Sequence, residues 1–202
     1  PYIDMFYLGA MIGENRSSTQ SHRAPIERFC HNEPPRKRIY AAFGSILTPD
    51  NDFIARLWRV LARHPEWHLL CVVGKKWAAD PDIVRPDNVE VVVWAPQPEL
   101  LHCADLAIFH GGAGTLIEAV EAATPMLVYP SVLDQFGNAA RVQFHGLGRI
   151  ASEDDADAKI ERDIVEILAS QEISHACAAM QLACRNERDE SRAEACVRDL
   201  LS

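Results

Sequence analysis

Five short apolar runs, IYAAF (39–43), LLCVV (69–73), VEVVVW (89–94), LAIF (106–109) and MLVYP (126–130), limit most tightly what this chain can fold into. Each run is continuous rather than alternating, the pattern of a strand covered on both faces, and such strands belong to parallel sheets. Between them lie stretches with helical spacing. DNDFIARLWRVLARH (50–64) places its apolar residues on one face, with Asp50 or Asn51 as N-cap. LIEAVEAA (116–123) follows the fourth run, and FGNAARVQFHG (136–146) follows the fifth, closed by Gly146 as C-cap. A sixth short strand at GRIA (148–151) leads into helices over 160–170 and 175–188. The alternation predicts one α/β domain over residues 39–202, a doubly wound parallel sheet with ligands at the carboxyl ends of its strands.

The lead-in reads differently. Residues 2–8 (YIDMFYL) are strand-like, but the stretch from there to Arg38 lacks periodicity and ends in the breaker cluster EPPRKR. Residues 1–38 therefore read as a linker segment. The chain begins PYIDMF, without an initiating methionine, and so reads as a piece of something longer. Its net charge of −9 argues against a nucleic-acid binder, whose affinity depends on neutralising phosphates. That charge leaves room for a single nucleotide held by local dipoles. Six cysteines, at 30, 71, 103, 177, 184 and 196, form no C-x-x-C pair. They read as buried thiols in a reducing compartment, which with no membrane-length run and no signal peptide points to the cytoplasm.

FHGGAGTLIEA (109–119) is the junction with chemistry in it. Glycines let backbone approach a ligand, and the first N–H groups of a helix favour negative charge. The spacing predicts a turn over His110–Gly114 and a helix from Thr115. The same residues also fit a turn with no ligand, with Thr115-x-x-Glu118 as a capping box and His110 as a core histidine. A phosphate loop of the kinase type is excluded, because no Lys or Arg occurs between Trp94 and Arg141. A dinucleotide fingerprint would need a glycine at 117, which is Ile, and would follow the first strand rather than the fourth; Asp134 does stand where an acid would hold a ribose. Asp80-Pro-Asp82 mimics a metal-binding D-x-D in a proline-broken loop without partner carboxylates, so no metal is expected.

Outward from the turn the order is Trp94-Ala-Pro-Gln97, His110-Gly111-Gly112-Ala-Gly114-Thr115, Glu118, Thr124-Pro125, Asp134-Gln135 and Asn138. This order resembles the donor-binding signature of the family 1 nucleotide-sugar glycosyltransferases, over about residues 39–150, and YIDMFYLGAMI resembles that family's interdomain linker. The resemblance implies a GT-B transferase of two Rossmann-like domains, with this chain as the carboxyl-terminal, donor-binding half. It implies that Trp94 stacks on a uracil or thymine ring with Gln97 beside it. His110, Thr115 and backbone N–H groups would meet the diphosphate, and Ser45 would lie near the phosphates. Glu118 would hold the ribose hydroxyls, and Asp134 with Gln135 the hydroxyls of the sugar. Plant members carry Asn where this chain has Gly114, so the bacterial natural-product pattern fits better.

An aromatic face suits a base, a carboxylate suits a vicinal diol, and neutral donors at a helix N-terminus suit a diphosphate. Singly, Trp94 also reads as a core tryptophan, Asp134 as a helix N-cap and Gln135 as a surface residue. By resemblance the reaction is inverting, metal-independent hexosyl transfer from a UDP- or dTDP-sugar to a hydroxyl of a small-molecule acceptor, with no other cofactor. The base is then expected in an amino-terminal domain, since His102 and His145 fall at no predicted strand end, and this chain alone is expected to be inactive. Two alternatives stay open: a nucleotide-sugar binding module without activity of its own, and an NAD-dependent oxidoreductase.

Overall fold

The computed structural model describes residues 23–31, 35–43, 51–78, 80–187 and 198. In chain order the first elements are helix α1 (Arg23–His31), strand β1 (Lys37–Ala42), α2 (Asn51–Ala62), β2 (Trp67–Val72) and β3 (Val89–Val92). They are followed by α3 (Gln97–Cys103), β4 (Leu106–Phe109), α4 (Ala113–Glu121) and β5 (Met126–Val128). The last are α5 (Gln135–Phe144), β6 (Gly148–Ile150), α6 (Asp157–Ala169) and α7 (Gln171–Glu187). The strands form one sheet in the order β3-β2-β1-β4-β5-β6, and every adjacent pair is parallel.

The continuous apolar runs are explained by two cores. On β1, Ile39 and Ala41 enter a cluster with Phe53, Leu57 and Leu61 of α2 and Ile160 and Ile164 of α6. Tyr40 and Ala42, on the other face, meet Phe29 of α1, Leu100 and Leu101 of α3 and Ala139 of α5. On β4 the same alternation sends Leu106 and Ile108 one way and Ala107 and Phe109 the other. Successive strand side chains point to opposite faces, so a strand sandwiched between helical layers must be apolar at every position. Each fully buried leucine or isoleucine here contributes about 1.5–3 kcal/mol.

Helices α2 and α6 lie side by side on one face and are aligned by charge. Arg59 donates to Asp157 at 2.7 and 2.9 Å, and Arg63 donates to Glu161 at 3.2 and 2.6 Å. The steps are four residues on both helices and in the same direction, so the pairs form a ladder between parallel neighbours. His64 completes it, with Nε2 at 2.8 Å from Glu161 and Nδ1 at 2.7 Å from Glu66.

Several features depart from the sequence-based expectation. Helix α1 forms inside the stretch read as linker and docks on the domain. Its Phe29 is fully buried, and its Arg28 grips Glu90 of β3 through two hydrogen bonds of 3.0 and 2.7 Å. Strand β1 begins at Lys37, inside that same stretch. The strand-like YIDMFYL and the N-cap candidate Asp50 lie outside the described residues. Helix α4 begins at Ala113, so the expected capping box at Thr115 does not form. The N-cap is Gly112, and no side chain caps the helix. At the end of α5 the expectation holds: Gly146 has φ +68°, its N–H bonds the Gln143 carbonyl, and Leu147 bonds back to Val142. Of the cysteines described, Cys71 and Cys177 are buried, but Cys30, Cys103 and Cys184 are only half-buried.

Candidate donor-binding site

β1 and β4 end level, with Ala42 opposite Phe109, and the chain leaves β4 directly into His110. Above these ends, on the α3–α4–α5 side of the sheet, opens a cavity of about 470 Å³. Of the residues singled out by the sequence, Trp94, Gln97, His110, Gly112, Gly114, Thr115, Glu118 and Gln135 line it. Three do not. Gly111 is buried, Asn138 is buried behind the turn, and Asp134 is an exposed residue outside the lining. Ser45 lies outside the described residues.

The turn is built by Gly111 and Asn138, and that explains their absence from the wall. Gly111 has φ +89°, and a Cβ on it would meet the Gln135 carbonyl oxygen at 2.9 Å and Val128 at 3.1 Å. Only glycine fits there. Asn138 donates from Nδ2 to the Gly111 carbonyl at 2.8 Å and to Asp134 at 3.1 Å, which ties α5 to the turn. Asp134 occupies the N-cap position of α5 without making a capping bond.

Past the turn, the N-terminus of α4 opens into the cavity. No side chain caps it and no acidic residue stands in its first turn. The first intrahelical backbone bond beyond the turn runs from Leu116 to Gly112, which leaves the preceding N–H groups unused by the helix. Gly114 carries no obstruction: a Cβ there would have nothing within 4 Å.

His110 stands over this helix start. Burial lowers its pKa below the ordinary histidine value, opposed by the Ala42 backbone carbonyl and by the charge of Asp134. Its Nδ1 is buried and makes no hydrogen bond of good geometry. The ring therefore stays neutral at neutral pH.

Gln97 ties three elements together. Its Oε1 accepts from the Tyr40 hydroxyl at 3.1 Å, and its Nε2 donates to Thr115 Oγ1 at 3.2 Å and to Glu118 Oε2 at 2.5 Å. Glu118, in place of its capping role, is thus a carboxylate aimed across the cavity. Gln135 spends its Oε1 on its own loop, accepting from Ser131 N, Ser131 Oγ and Val132 N at 2.9, 3.1 and 3.0 Å. Those bonds hold Leu133 at φ +53°, a left-handed conformation that is unusual for leucine, with its side chain 88% exposed at the cavity rim.

Sequence reasoning missed Tyr40, Val132 and Leu133 as wall residues. Tyr40 looks like core in a continuous apolar run. Only its place near the carboxyl end of the first strand could have flagged it. Among the described residues no group of three His, Cys, Asp or Glu could hold a metal ion, and no helix is long and apolar enough to cross a membrane.

Residues 72–198 match the model of the erythromycin biosynthesis protein CIII-like C-terminal domain. The chain is 37% identical over 127 residues to the oleandomycin glycosyltransferase of Streptomyces antibioticus, covering 63% of this chain and 30% of that one. It is 34% identical over 175 residues to the zeaxanthin glucosyltransferase of Pantoea ananas, covering 86% of this chain and 40% of that one. The crystal structure of the kitacinnamycin glycotransferase aligns with a TM-score of 0.74 at 27% identity, covering 81% of this chain and 43% of the other. The calicheamicin glycosyltransferase shares the fold, with a TM-score of 0.73 at 24% identity and coverage of 83% and 44%. The matched part of the chain thus spans between 30% and 44% of the length of these relatives. With its parallel six-stranded sheet and its glycine turn at the end of β4, it belongs to the erythromycin biosynthesis protein CIII-like C-terminal domains, the carboxyl-terminal half of family 1 GT-B glycosyltransferases of the bacterial natural-product type.

Proposed function

We propose that the cavity binds a UDP- or dTDP-sugar, and that in the longer protein its hexosyl group passes to a hydroxyl of a small-molecule acceptor. The observation that carries this reading is the uncapped N-terminus of α4, opening into a cavity whose described lining includes His110, Thr115 and Glu118 but no Lys or Arg. A diphosphate there would be held by backbone N–H groups, the helix dipole and neutral donors. Trp94 offers a face for the pyrimidine and Glu118 a carboxylate for the pentose hydroxyls, the 2′ and 3′ of UDP or the 3′ alone of dTDP. Gln135, with its oxygen already engaged, would address the sugar through Nε2, and exposed Asp134 would do so from beside it.

In the proposed reaction the acceptor oxygen attacks the anomeric carbon from the face opposite the diphosphate, with inversion and without a metal. The bond from that carbon to the diphosphate oxygen breaks, and its electron pair leaves with the nucleotide. The acceptor proton goes to a base in the amino-terminal half. Negative charge grows on the diphosphate, where His110, Thr115 and the helix N-terminus stabilise it, the role of preorganised donors. Acceptor positioning and proton removal each contribute large rate factors, so this chain alone binds the donor and does not transfer the sugar.

Calorimetric titration with UDP, dTDP, NAD and ATP, with and without EDTA, tests the proposal. UDP or dTDP should bind most tightly, unchanged by EDTA. NAD binding more tightly than both would overturn it in favour of the oxidoreductase reading. Adding the amino-terminal half should then produce glycoside. Donor binding with no glycoside would leave a nucleotide-sugar binding module.

A further inference from the structure

We infer that Tyr40 is a positioning residue for the ribose-binding carboxylate of Glu118, acting through the side-chain amide of Gln97. The inference rests on the donor-site reading above and adds to it a residue of the first strand. Tyr40 is 1% exposed, with its ring in the core beneath the cavity, yet its hydroxyl reaches Gln97 Oε1 at 3.1 Å. Gln97 in turn commits both hydrogens of Nε2, one to Glu118 Oε2 at 2.5 Å and one to Thr115 Oγ1 at 3.2 Å. A side-chain amide has two donors on one end and an acceptor on the other, and the Glu118 carboxylate, which only accepts, fixes which end faces it. Turned over, the amide would set its oxygen against the Glu118 carboxylate. In the orientation that Glu118 selects, the Tyr40 hydroxyl satisfies the oxygen end of the amide and holds its angle.

β1, α3 and α4 are thereby joined at one point, and the point is a wall of the cavity. The terminal torsion of glutamine is broad, so the amide does not hold its own angle. Removing the hydroxyl leaves Oε1 without that donor, the amide rotates more freely, and its hold on Glu118 Oε2 loosens. Gln97 itself, implied by resemblance to sit beside the base, has its amide largely consumed by this task.

The test compares UDP with its 2′,3′-dideoxy analogue, which lacks both ribose hydroxyls, on the unaltered chain and on Tyr40→Phe. Loss of one hydrogen bond in the relay should weaken UDP about three- to tenfold while changing the dideoxy analogue less than about twofold. In a Gln97→Met background, which keeps length and removes the amide, Tyr40→Phe should cost UDP nothing further. In a Glu118→Leu background, where nothing accepts from the amide, Tyr40→Phe should have no further effect, since coupled residues are not additive. Equal weakening of both nucleotides, or the same loss with and without Glu118, would overturn the relay and leave Tyr40 as core. Failure of the unaltered chain to bind UDP or dTDP at all would instead remove the donor-site reading, and this inference with it.

Discussion

The Nε2 of His110 lies 2.6 Å from where a Cβ on residue 112 would stand. The imidazole therefore rests on the bare backbone of Gly112, and the glycine keeps open the space that the ring fills. Gly112→Ala must displace the ring, since that separation is shorter than real Cβ contacts allow. The N-cap position itself tolerates alanine at a cost of a few tenths to about 1 kcal/mol. Melting temperature should fall little while UDP affinity falls by about tenfold or more, the loss of a charge-assisted bond. Calorimetry paired with thermal melts checks this; a large stability loss with unchanged affinity would remove His110 from the site.

Gly114→Ala makes the complementary case. It sits in the first turn of α4, lines the cavity and has open space where a Cβ would go. Helix propensity should make the variant as stable as the parent or more so by about 0.5–1 kcal/mol. The new methyl would stand where a phosphate has to come close to the backbone, and UDP affinity should drop sharply. Unimpaired binding by a stabilised variant would move the diphosphate away from this turn.

Asn138→Ala attacks the turn from behind. The side chain is buried and its amide holds the Gly111 carbonyl and Asp134. Truncation leaves a buried carbonyl without that donor, which costs about 1–3 kcal/mol. Urea unfolding should show that loss, and nucleotide affinity should weaken with it because the turn carries His110. A variant that lost affinity at full stability would make Asn138 a ligand contact after all.

His64 gives the fold a pH dependence of known sign. Burial pulls its pKa down, but the hydrogen bonds to Glu66 and Glu161 outweigh that and raise it overall. With carboxylates on both ring nitrogens, both must donate, so the bound ring is the imidazolium. Trp67 stacks on it at 3.7 Å, and Arg63 shares Glu161. A raised folded-state pKa contributes stability that is complete below the unfolded value of 6.5 and is lost as pH rises through the folded value. His110 and His68 are lowered and carry the opposite sign, so the comparison must be made against a His64→Gln variant. The stability gap between the two proteins should be widest near pH ~6 and close toward pH ~9. A gap independent of pH would show that the ring is neutral in its site.

The strands were legible because each feeds two cores, as Ile39 and Tyr40 do on β1, and the runs are short, unbroken and separated by helical spacing. The cavity was legible at its glycine turn and at Trp94, where residue types announce a ligand. Helix α3 was not, because Pro98 near its start reads as a breaker although proline is at home in a first turn. Helix α1 hid behind Pro25, the proline pair at 34–35 and a short apolar face; its anchor, Arg28 on Glu90, spans 62 positions that no local pattern reveals. Thr115 and Glu118 looked like a cap because the motif does not say where a helix begins. With Gly112 able to start it, Glu118 was left to bond Gln97 across the wall.

The helical scaffold and the cavity wall answer to different solvents. The face away from the cavity is aligned by Arg59–Asp157 and Arg63–Glu161, half-exposed pairs that dissolved salt screens within several ångströms. The cavity wall is set by the Tyr40 hydroxyl, the Gln97 amide and apolar side chains, with one carboxylate, Glu118, held by that amide. Added salt therefore acts on the scaffold while leaving the mould of the ligand in shape. Any salt effect on nucleotide binding then reports the charges that meet in the site, the diphosphate and the Glu118 carboxylate, at a wall without lysine or arginine.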